Sequence, residues 1–419
     1  MRISGVIIIN ALVLSLVLGA SAENSPWEKL NSQVVGLYLQ GNYTQATTLA
    51  QKSLKLAEKT FAPEHPNILT SLNNLGLLYK TQGMYTQAEP LYKRALAIAE
   101  KTYGPDHPAV VASLNNLAEL AKAQARYDQA ELLYKHALAI RQNHFGPVHP
   151  KVALSLSNLA GLYTAQANYA KAESLYKQAL AICEKTFDTN HPAAAQILNN
   201  LAALHQSQGR FPQAESLYGR ALTICDKTFG PDHPTTAAIL NNMASFYKLQ
   251  HKFTEAQNFC QRALLIRQKT FGANHPAVAQ SLNNMGSIYQ SQGKLTEAET
   301  FYTDALQIWE KTLGPEHPDT AAALNNLAIL NCCRHKYAQA EQLFTRALEI
   351  TQKTLGPAHP EVIAMLENMT QCYRKNGNPQ QAEKLLQQIN QIKSGKIPPS
   401  SNHQDFNNIK NTSNRPAGE

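Results

Sequence analysis

The dipeptide His-Pro occurs eight times in this chain of 419 residues, and each occurrence follows the previous one after 42 residues. The histidines are His65, His107, His149, His191, His233, His275, His317 and His359. A fixed period without insertions is typical of a stacked-repeat architecture. In such a solenoid each unit packs only against its neighbours. The period therefore predicts one solenoid rather than the two or three globular domains that the length alone suggests.

Each period predicts two helices joined by a tight turn. In the unit that begins at Pro66, apolar residues at helical spacing predict a first helix from Asn67 to about Gln82 and a second from about Tyr85 to Tyr103. Pro66 suits the first position of a helix because its φ is fixed and it lacks an N–H. Ala88 in the second helix is Ala at the equivalent position of every unit, from Ala46 to Ala382. A small residue held at one position indicates two helix backbones that approach closely there.

The repeated residues resemble a known family. The runs Leu-Asn-Asn-Leu, Gln-Gly-x-Tyr and Ala-Glu-x-Leu-Tyr resemble the tetratricopeptide repeat. The 42-residue period and the Gly-Pro-x-His-Pro connector are similar to the kinesin light chain subclass of that repeat. The resemblance covers about Pro26 to Ile392 and implies an all-α, right-handed superhelical solenoid of about nine hairpins over residues 23–393. It is specific for the fold and not for the biological role, since one scaffold serves many pathways.

The two ends of the chain do not follow the repeat. Residues 1–22 combine a basic start, an apolar run from Val6 to Leu18 and the small residues Ala20-Ser21-Ala22, which predicts a secretory signal peptide. A retained N-terminal anchor is the alternative. Residues 394–419 are rich in Ser, Asn, Pro and Lys without an apolar period, so a disordered tail is expected there. The mature chain is therefore expected to be exported, periplasmic or secreted, with no membrane span after signal removal.

Composition and spacing disfavour several functions. The formal charge of +8 is spread without a long Lys/Arg run, so no nucleic-acid partner is expected. The six cysteines match no zinc spacing and are interpreted as packing residues. Equivalent histidines of neighbouring units lie about 8–10 Å apart, too far to converge on one metal, and are predicted to bind the free amides at helix starts. Without a phosphate loop, a His-Glu-x-x-His motif or a nucleophile elbow, we predict no catalytic residue, no metal and no cofactor.

The middle of the first helix carries an asparagine in eight units. These residues are Asn74, Asn116, Asn158, Asn200, Asn242, Asn284, Asn326 and Asn368. Asn is a mediocre helix former because its amide competes for backbone hydrogen bonds, so its repetition indicates a side-chain partner. The family resemblance implies that these amides hold the main chain of a bound extended peptide in the concave groove. The alternative is a ladder of amides that bond to neighbouring helices.

Lys80, Lys122 and Lys248 lie further along the same helices and are expected to face the same groove, which favours an acidic partner. We therefore predict a non-enzymatic scaffold or adaptor that binds an extended, acidic peptide segment of another protein in its concave groove. The alternative prediction is a structural spacer in the cell envelope that acts through its convex face or its ends.

Overall fold

The computed structural model describes residues 25–187 and 191–395, and these form eighteen α-helices in nine consecutive pairs. The pairs, called units 1 to 9, are α1 (Pro26–Leu39) and α2 (Tyr43–Thr60), α3 (Pro66–Thr81) and α4 (Tyr85–Tyr103), α5 (Val111–Ala123) and α6 (Tyr127–Phe145), α7 (Pro150–Ala165) and α8 (Tyr169–Thr186), α9 (Pro192–Ser207) and α10 (Phe211–Phe229), α11 (Pro234–Leu249) and α12 (Phe253–Phe271), α13 (Pro276–Ser291) and α14 (Leu295–Thr312), α15 (Pro318–Cys333) and α16 (Tyr337–Leu355), and α17 (Pro360–Lys375) and α18 (Pro379–Lys393). A short 3-10 turn, Pro108–Val110, precedes α5.

The predicted all-α solenoid of about nine hairpins is confirmed. The predicted signal peptide and residues 396–419 of the predicted tail lie outside the described residues. In the part of the chain that the structure describes, no helix combines the length and the apolarity needed to span a membrane.

The connector histidines start the odd-numbered helices, as predicted. In all eight, Nδ1 accepts a hydrogen bond from the backbone N–H two residues further on, at 3.0–3.2 Å. In six connectors the imidazole also stacks on the aromatic residue that ends the preceding helix, most closely Phe187 on His191 at 3.7 Å between ring centroids. Each connector is therefore held in one conformation, which keeps the step from unit to unit constant.

Close packing within a unit explains the invariant alanines. Ala88 and its equivalents retain at most 2% of their exposure. Across the same unit, a Cβ added at Gly76 would lie 2.6 Å from Cε1 of Tyr92. The small residues on both helices thus make room for the large buried rings that fill the hairpin.

The odd-numbered helices form the inner layer of the solenoid. Successive odd-numbered helices, such as α11 and α13 or α15 and α17, pack against one another as well as against their even-numbered partners. In a curved array the layer whose members lie closest together is the layer nearer to the axis. The odd-numbered helices, which carry the asparagines and Lys80, Lys122 and Lys248, therefore line the concave wall.

The expectation that each unit contacts only its neighbours is wrong, because the coil touches itself after six units. The turn of unit 1 meets the connector before unit 7: a Cβ added at Gly41 would lie 2.8 Å from His275 Cδ2 and 2.9 Å from Pro276 Cδ. The turn of unit 2 meets the connector before unit 8 in the same way, since a Cβ added at Gly83 would lie 2.7 Å from Pro318 Cδ. We call this contact of the two turns with the two connectors the seam.

Polar and apolar contacts both contribute to the seam. His317 Nε2 lies 2.8 Å from the carbonyl oxygen of Thr81. The C-terminal end of α3 therefore lies next to the N-terminal end of α15. One hydrophobic cluster includes Tyr43 of unit 1 and Leu282 of unit 7, and another joins Tyr85 of unit 2 to Leu355 of unit 8.

The connector histidines are most buried where the seam lies. His275, His317 and His359, which precede units 7, 8 and 9, retain 9%, 7% and 9% of their exposure, whereas the five earlier connector histidines are half-buried or exposed. Units 7 to 9 therefore lie against units 1 to 3, and the described chain makes about one and a half turns of a superhelix with six units per turn.

Candidate functional site

Five of the eight asparagines form a ladder between units. The side-chain N–H of Asn326 donates to Oδ1 of Asn283 in the preceding unit at 2.8 Å. The same bond, at 2.8–3.2 Å, links the pairs Asn74–Asn31, Asn116–Asn73, Asn242–Asn199 and Asn368–Asn325. The alternative prediction, a ladder of amides that bond to neighbouring helices, therefore holds in five units.

The other three asparagines make no side-chain hydrogen bond to the described residues, and the reason differs in each unit. Asn158 has Asn115 as its counterpart, but Asn115 Oδ1 is buried without a partner. The counterpart of Asn200 is Ser157, whose side chain is shorter. The counterpart of Asn284 is Asn241, which contacts Ser281 instead. Asn158, Asn200 and Asn284 are half-buried on helices of the inner layer, so their amides keep donors and acceptors that no described residue uses.

The predicted site asparagines that form the ladder differ in solvent exposure. Asn74 and Asn116 retain only 5% and 8% of their exposure. Their amides bond to Asn31 and Asn73 and so link neighbouring helices, and little of either side chain is left accessible. Asn242 and Asn326 are half-buried, and each keeps an Oδ1 that the ladder bond does not use.

Lys80 and Lys122 share a carboxylate on the concave wall. Lys122 Nζ lies 2.8 Å from Glu119 Oε1, and Tyr134 donates its hydroxyl to the same oxygen. Burial raises the pKa of Glu119, but the charges of Lys122 and Lys80 and these hydrogen bonds outweigh it and bring the pKa to about 2. Burial lowers the pKa of Lys80, with Glu119 opposing that shift. This cluster of two cations and one anion is less basic than the lysines alone predict.

The positive charge of Lys248 is less compensated than that of Lys80 and Lys122. Its Nζ donates to Ser287 Oγ at 2.7 Å, and no carboxylate pairs with it in the described part of the chain. Burial lowers its pKa, opposed by the neighbouring Cys260. A partly desolvated ammonium with only a hydroxyl partner gains interaction energy when a carboxylate approaches.

The concave wall is partly exposed to solvent and partly enclosed by protein. The side chains of Lys122 and Glu119 keep 26% and 29% of their exposure, yet burial still shifts the pKa values of Glu119 and Lys80. Three residues after the asparagine, and so beside it on the helix surface, units 2 to 9 carry Leu77, Glu119, Gly161, Ala203, Ser245, Ser287, Ile329 and Gln371. Four of these residues are small, which leaves the middle of the wall open for a ligand backbone.

Among residues 25–187 and 191–395 there is no group of three or more His, Cys, Asp or Glu side chains placed to hold a metal ion. All six cysteines are free thiols, and only Cys333 is exposed. Burial raises the pKa of Cys225 to about 11 and that of Cys260 to about 12, so both are neutral packing residues at ordinary pH.

Sequence reasoning did not find the pairing of Lys122 with Glu119. Their separation of three helical positions is the signal that was available, since such residues are neighbours on a helix surface. The sequence places Gln206 and Gln290 further along the same helices, towards the groove, but it does not reveal that their side chains accept hydrogen bonds from the buried hydroxyls of Tyr218 and Tyr302 at 2.9 and 2.7 Å. These contacts fix the position of the wall relative to the core.

A tetratricopeptide repeat model matches residues 30–101, 81–143, 151–227, 194–245, 235–308, 278–353 and 319–392, well over half of the chain. The chain therefore belongs to the tetratricopeptide repeat family, whose members are generally non-enzymatic scaffolds that bind protein or peptide partners. No curated protein sequence matches it.

Solved structures with kinesin light chain-like repeats are similar to the chain. A crystal structure of the putative kinesin light chain repeats of Podosopora anserina has 26% identity and a TM-score of 0.41, over 49% of this chain and 97% of that chain. BtubC (BKLC) from P. vanneervenii has 21% identity and a TM-score of 0.38, over 67% of this chain and 94% of that chain. A Rap protein complexed with competence and sporulation factor has 15% identity and a TM-score of 0.57, over 88% of this chain and 99% of that chain, and supports the fold alone.

Proposed function

We propose that this protein is a non-enzymatic scaffold whose concave wall binds an extended segment of another protein. The observation that carries the proposal is the set of half-buried amides at Asn158, Asn200 and Asn284, which lack hydrogen bonds to the described protein although their equivalents are paired. Each presents a donor and an acceptor, the combination that a peptide backbone requires irrespective of its side chains. Asn242 and Asn326 add acceptors in neighbouring units of the same wall.

The ligand segment is proposed to be acidic. Support comes from Lys248, which has a hydroxyl partner and no carboxylate, and from the surplus cation of the Lys80, Glu119 and Lys122 cluster. A ligand carboxylate beside Lys248 would restore the pKa that burial lowers, and that gain favours acidic over neutral ligands.

The experiment compares unpaired with paired asparagines. Replacing Asn158, Asn200 and Asn284 together by Ala should weaken binding of an affinity-purified partner and leave the unfolding transition unchanged, because no intramolecular hydrogen bond is lost. The control replaces the buried Asn74 and Asn116, which should lower stability and leave the affinity of the folded protein unchanged. Partner binding that persists in the triple variant would contradict the proposal. It would favour the spacer function, in which partners contact the convex face or the ends.

Export is part of the proposal and depends on the leader-like residues 1–22. N-terminal sequencing of the mature protein should begin at Glu23. A mature chain that begins at Met1 in a membrane fraction would indicate a retained anchor, and one that begins there in the cytoplasm would contradict export.

A further inference from the structure

The seam converts the concave wall from an open groove into a closed lumen. In an open superhelix a ligand reaches the concave wall through the gap between successive turns. Here that gap is filled where units 7 to 9 lie against units 1 to 3, with less than 3 Å from a Cβ at Gly41 or Gly83 to the facing connector. Sideways access is therefore blocked around the whole six-unit turn.

The width of the lumen follows from the six inner helices. Neighbouring helices pack about 8–10 Å apart, so a ring of six spans about 16–20 Å between opposite axes. A helix with its side chains is about 10–12 Å thick, which leaves an opening of at most about 10 Å. Neighbouring strands of a hairpin lie about 4.8 Å apart before their side chains are counted. An opening of this size excludes a helix or a hairpin, so a single extended chain is the only form of polypeptide that can enter it.

The chemistry of the concave wall agrees with an enclosed space. Lys122 and Glu119 are solvated enough to keep more than a quarter of their side-chain exposure, yet Glu119 and Lys80 are desolvated by the protein that surrounds them. The positions equivalent to Glu119 in the next four units are Gly161, Ala203, Ser245 and Ser287, which add little bulk. Such a surface suits a single polypeptide backbone that lies along the axis.

We propose that the lumen selects partners by their ends: it admits a free, unfolded chain terminus or a short peptide and excludes an internal segment that has folded domains on both sides. This inference rests on the proposed function and adds the class of partner. A terminus threads in through either mouth of the lumen, whereas an internal segment requires the seam to open.

The seam provides a specific way to open the coil. Gly83 has a φ of +72°, and any side chain there meets Pro318. Gly209, the same turn position in unit 5, has a φ of +71° and no heavy atom within 4 Å of an added Cβ. His251 and His335 occupy this turn position in units 6 and 8 with φ of 59° and 60°. Gly83→His should therefore open the seam, and Gly209→His is the matched control, since the turn tolerates His where nothing faces it.

The test uses peptides of about 12 residues, which extend over roughly 40 Å, selected on the mature chain from a random library displayed with free N-termini. Each selected sequence is then measured as a free peptide and as a linker between two small folded domains, by fluorescence anisotropy against both variants and the parent. The parent and Gly209→His should bind the free peptide roughly a hundredfold more tightly than the linker, because an open state a few kcal/mol above the closed state is populated at about 1%. Gly83→His should bind both forms with similar affinity, and its radius of gyration by X-ray scattering should exceed that of Gly209→His.

Equal affinity of the parent for the free peptide and the linker would overturn the inference and leave the proposed function standing. This comparison needs no variant, so it remains decisive if Gly83→His does not fold. A library that yields no binder would overturn the proposed function and this inference together.

Discussion

His317 donates a hydrogen bond from Nε2 to the carbonyl oxygen of Thr81 at 2.8 Å, although 236 residues separate the two in the sequence. Its Nδ1 accepts from the Asp319 N–H at 3.0 Å, so the ring is the neutral Nε2–H tautomer. One imidazole thus starts α15 and joins it to the end of α3. Long-range contacts of this kind are absent from a linear solenoid, in which stability is a sum over neighbouring units. They make the first and last thirds of this array depend on each other.

Acid should weaken the seam through His275. Burial, with a smaller contribution from the charge of Arg267, lowers the pKa of His275 from 6.5 to about 4, so the folded state favours the neutral ring. The neutral ring of His275 contributes fully to the free energy of unfolding above pH 6.5. This contribution is lost as the pH falls towards 4, and the total loss is up to about 3 kcal/mol. Urea unfolding between pH 7 and 4 measures it. His275→Asn, which retains a capping side chain and does not titrate, should flatten this dependence. An unchanged slope in the variant would contradict the assignment.

The asparagine ladder should contribute to stability only where the bond forms. Asn326→Ala removes the donor to Asn283 Oδ1 and should cost about 0.5–1.5 kcal/mol. Asn158→Ala removes no side-chain hydrogen bond among the described residues and should change stability by less than about 0.5 kcal/mol. The midpoint of urea unfolding compares the two variants. An equal loss of stability in the two variants would show that the ladder bonds do not contribute to the free energy of unfolding.

The invariant alanine should not tolerate a larger side chain. Ala214 is fully buried between the helices of unit 5, and Ala214→Leu should overpack this crossing at a cost of about 1–3 kcal/mol. Ala165 is exposed at the end of α7, and Ala165→Leu should stay within about 0.5 kcal/mol of the parent. Thermal unfolding followed by circular dichroism measures both. A stable Ala214→Leu variant would mean that the crossing has space that the structure does not contain.

Thiol reactivity should distinguish one cysteine from the other five. Cys333 is exposed, whereas Cys183, Cys225, Cys260, Cys332 and Cys372 are buried. Because the thiolate is the reactive form and burial raises the pKa of Cys225 and Cys260, iodoacetamide should alkylate only Cys333 in the folded protein. Mass spectrometry counts the adducts, and denatured protein, in which all six react, is the control. Rapid modification of a second thiol in the folded state would contradict the packing.

The sequence predicts those features that repeat in every unit. Hairpin bounds, the caps at His65 and its equivalents, and the buried Ala88 position are set by local rules that act identically in each unit, so the 42-residue pattern exposes them. The seam is different, because it arises from the rotation between successive units accumulated over six units, and no residue pattern specifies that angle. The arrangement of the site also depends on single departures from the repeat, such as Ser157 opposite Asn200 and Glu119 beside Lys122. Periodicity places these residues on the concave wall without revealing which of them are already bonded to each other.

The contact of each early turn with the connector six units later also constrains how this gene can change in length. Tandem duplication or loss of one repeat leaves every neighbour contact of a linear solenoid intact, and repeat families commonly grow in this way. In this chain the loss of unit 5 would place Gly83 opposite the connector of unit 9 in place of His317-Pro318, with Glu361 where Asp319 now lies. Loss or insertion of a repeat inside the array therefore changes which late connector each early turn meets, whereas a change at either end leaves these pairings intact.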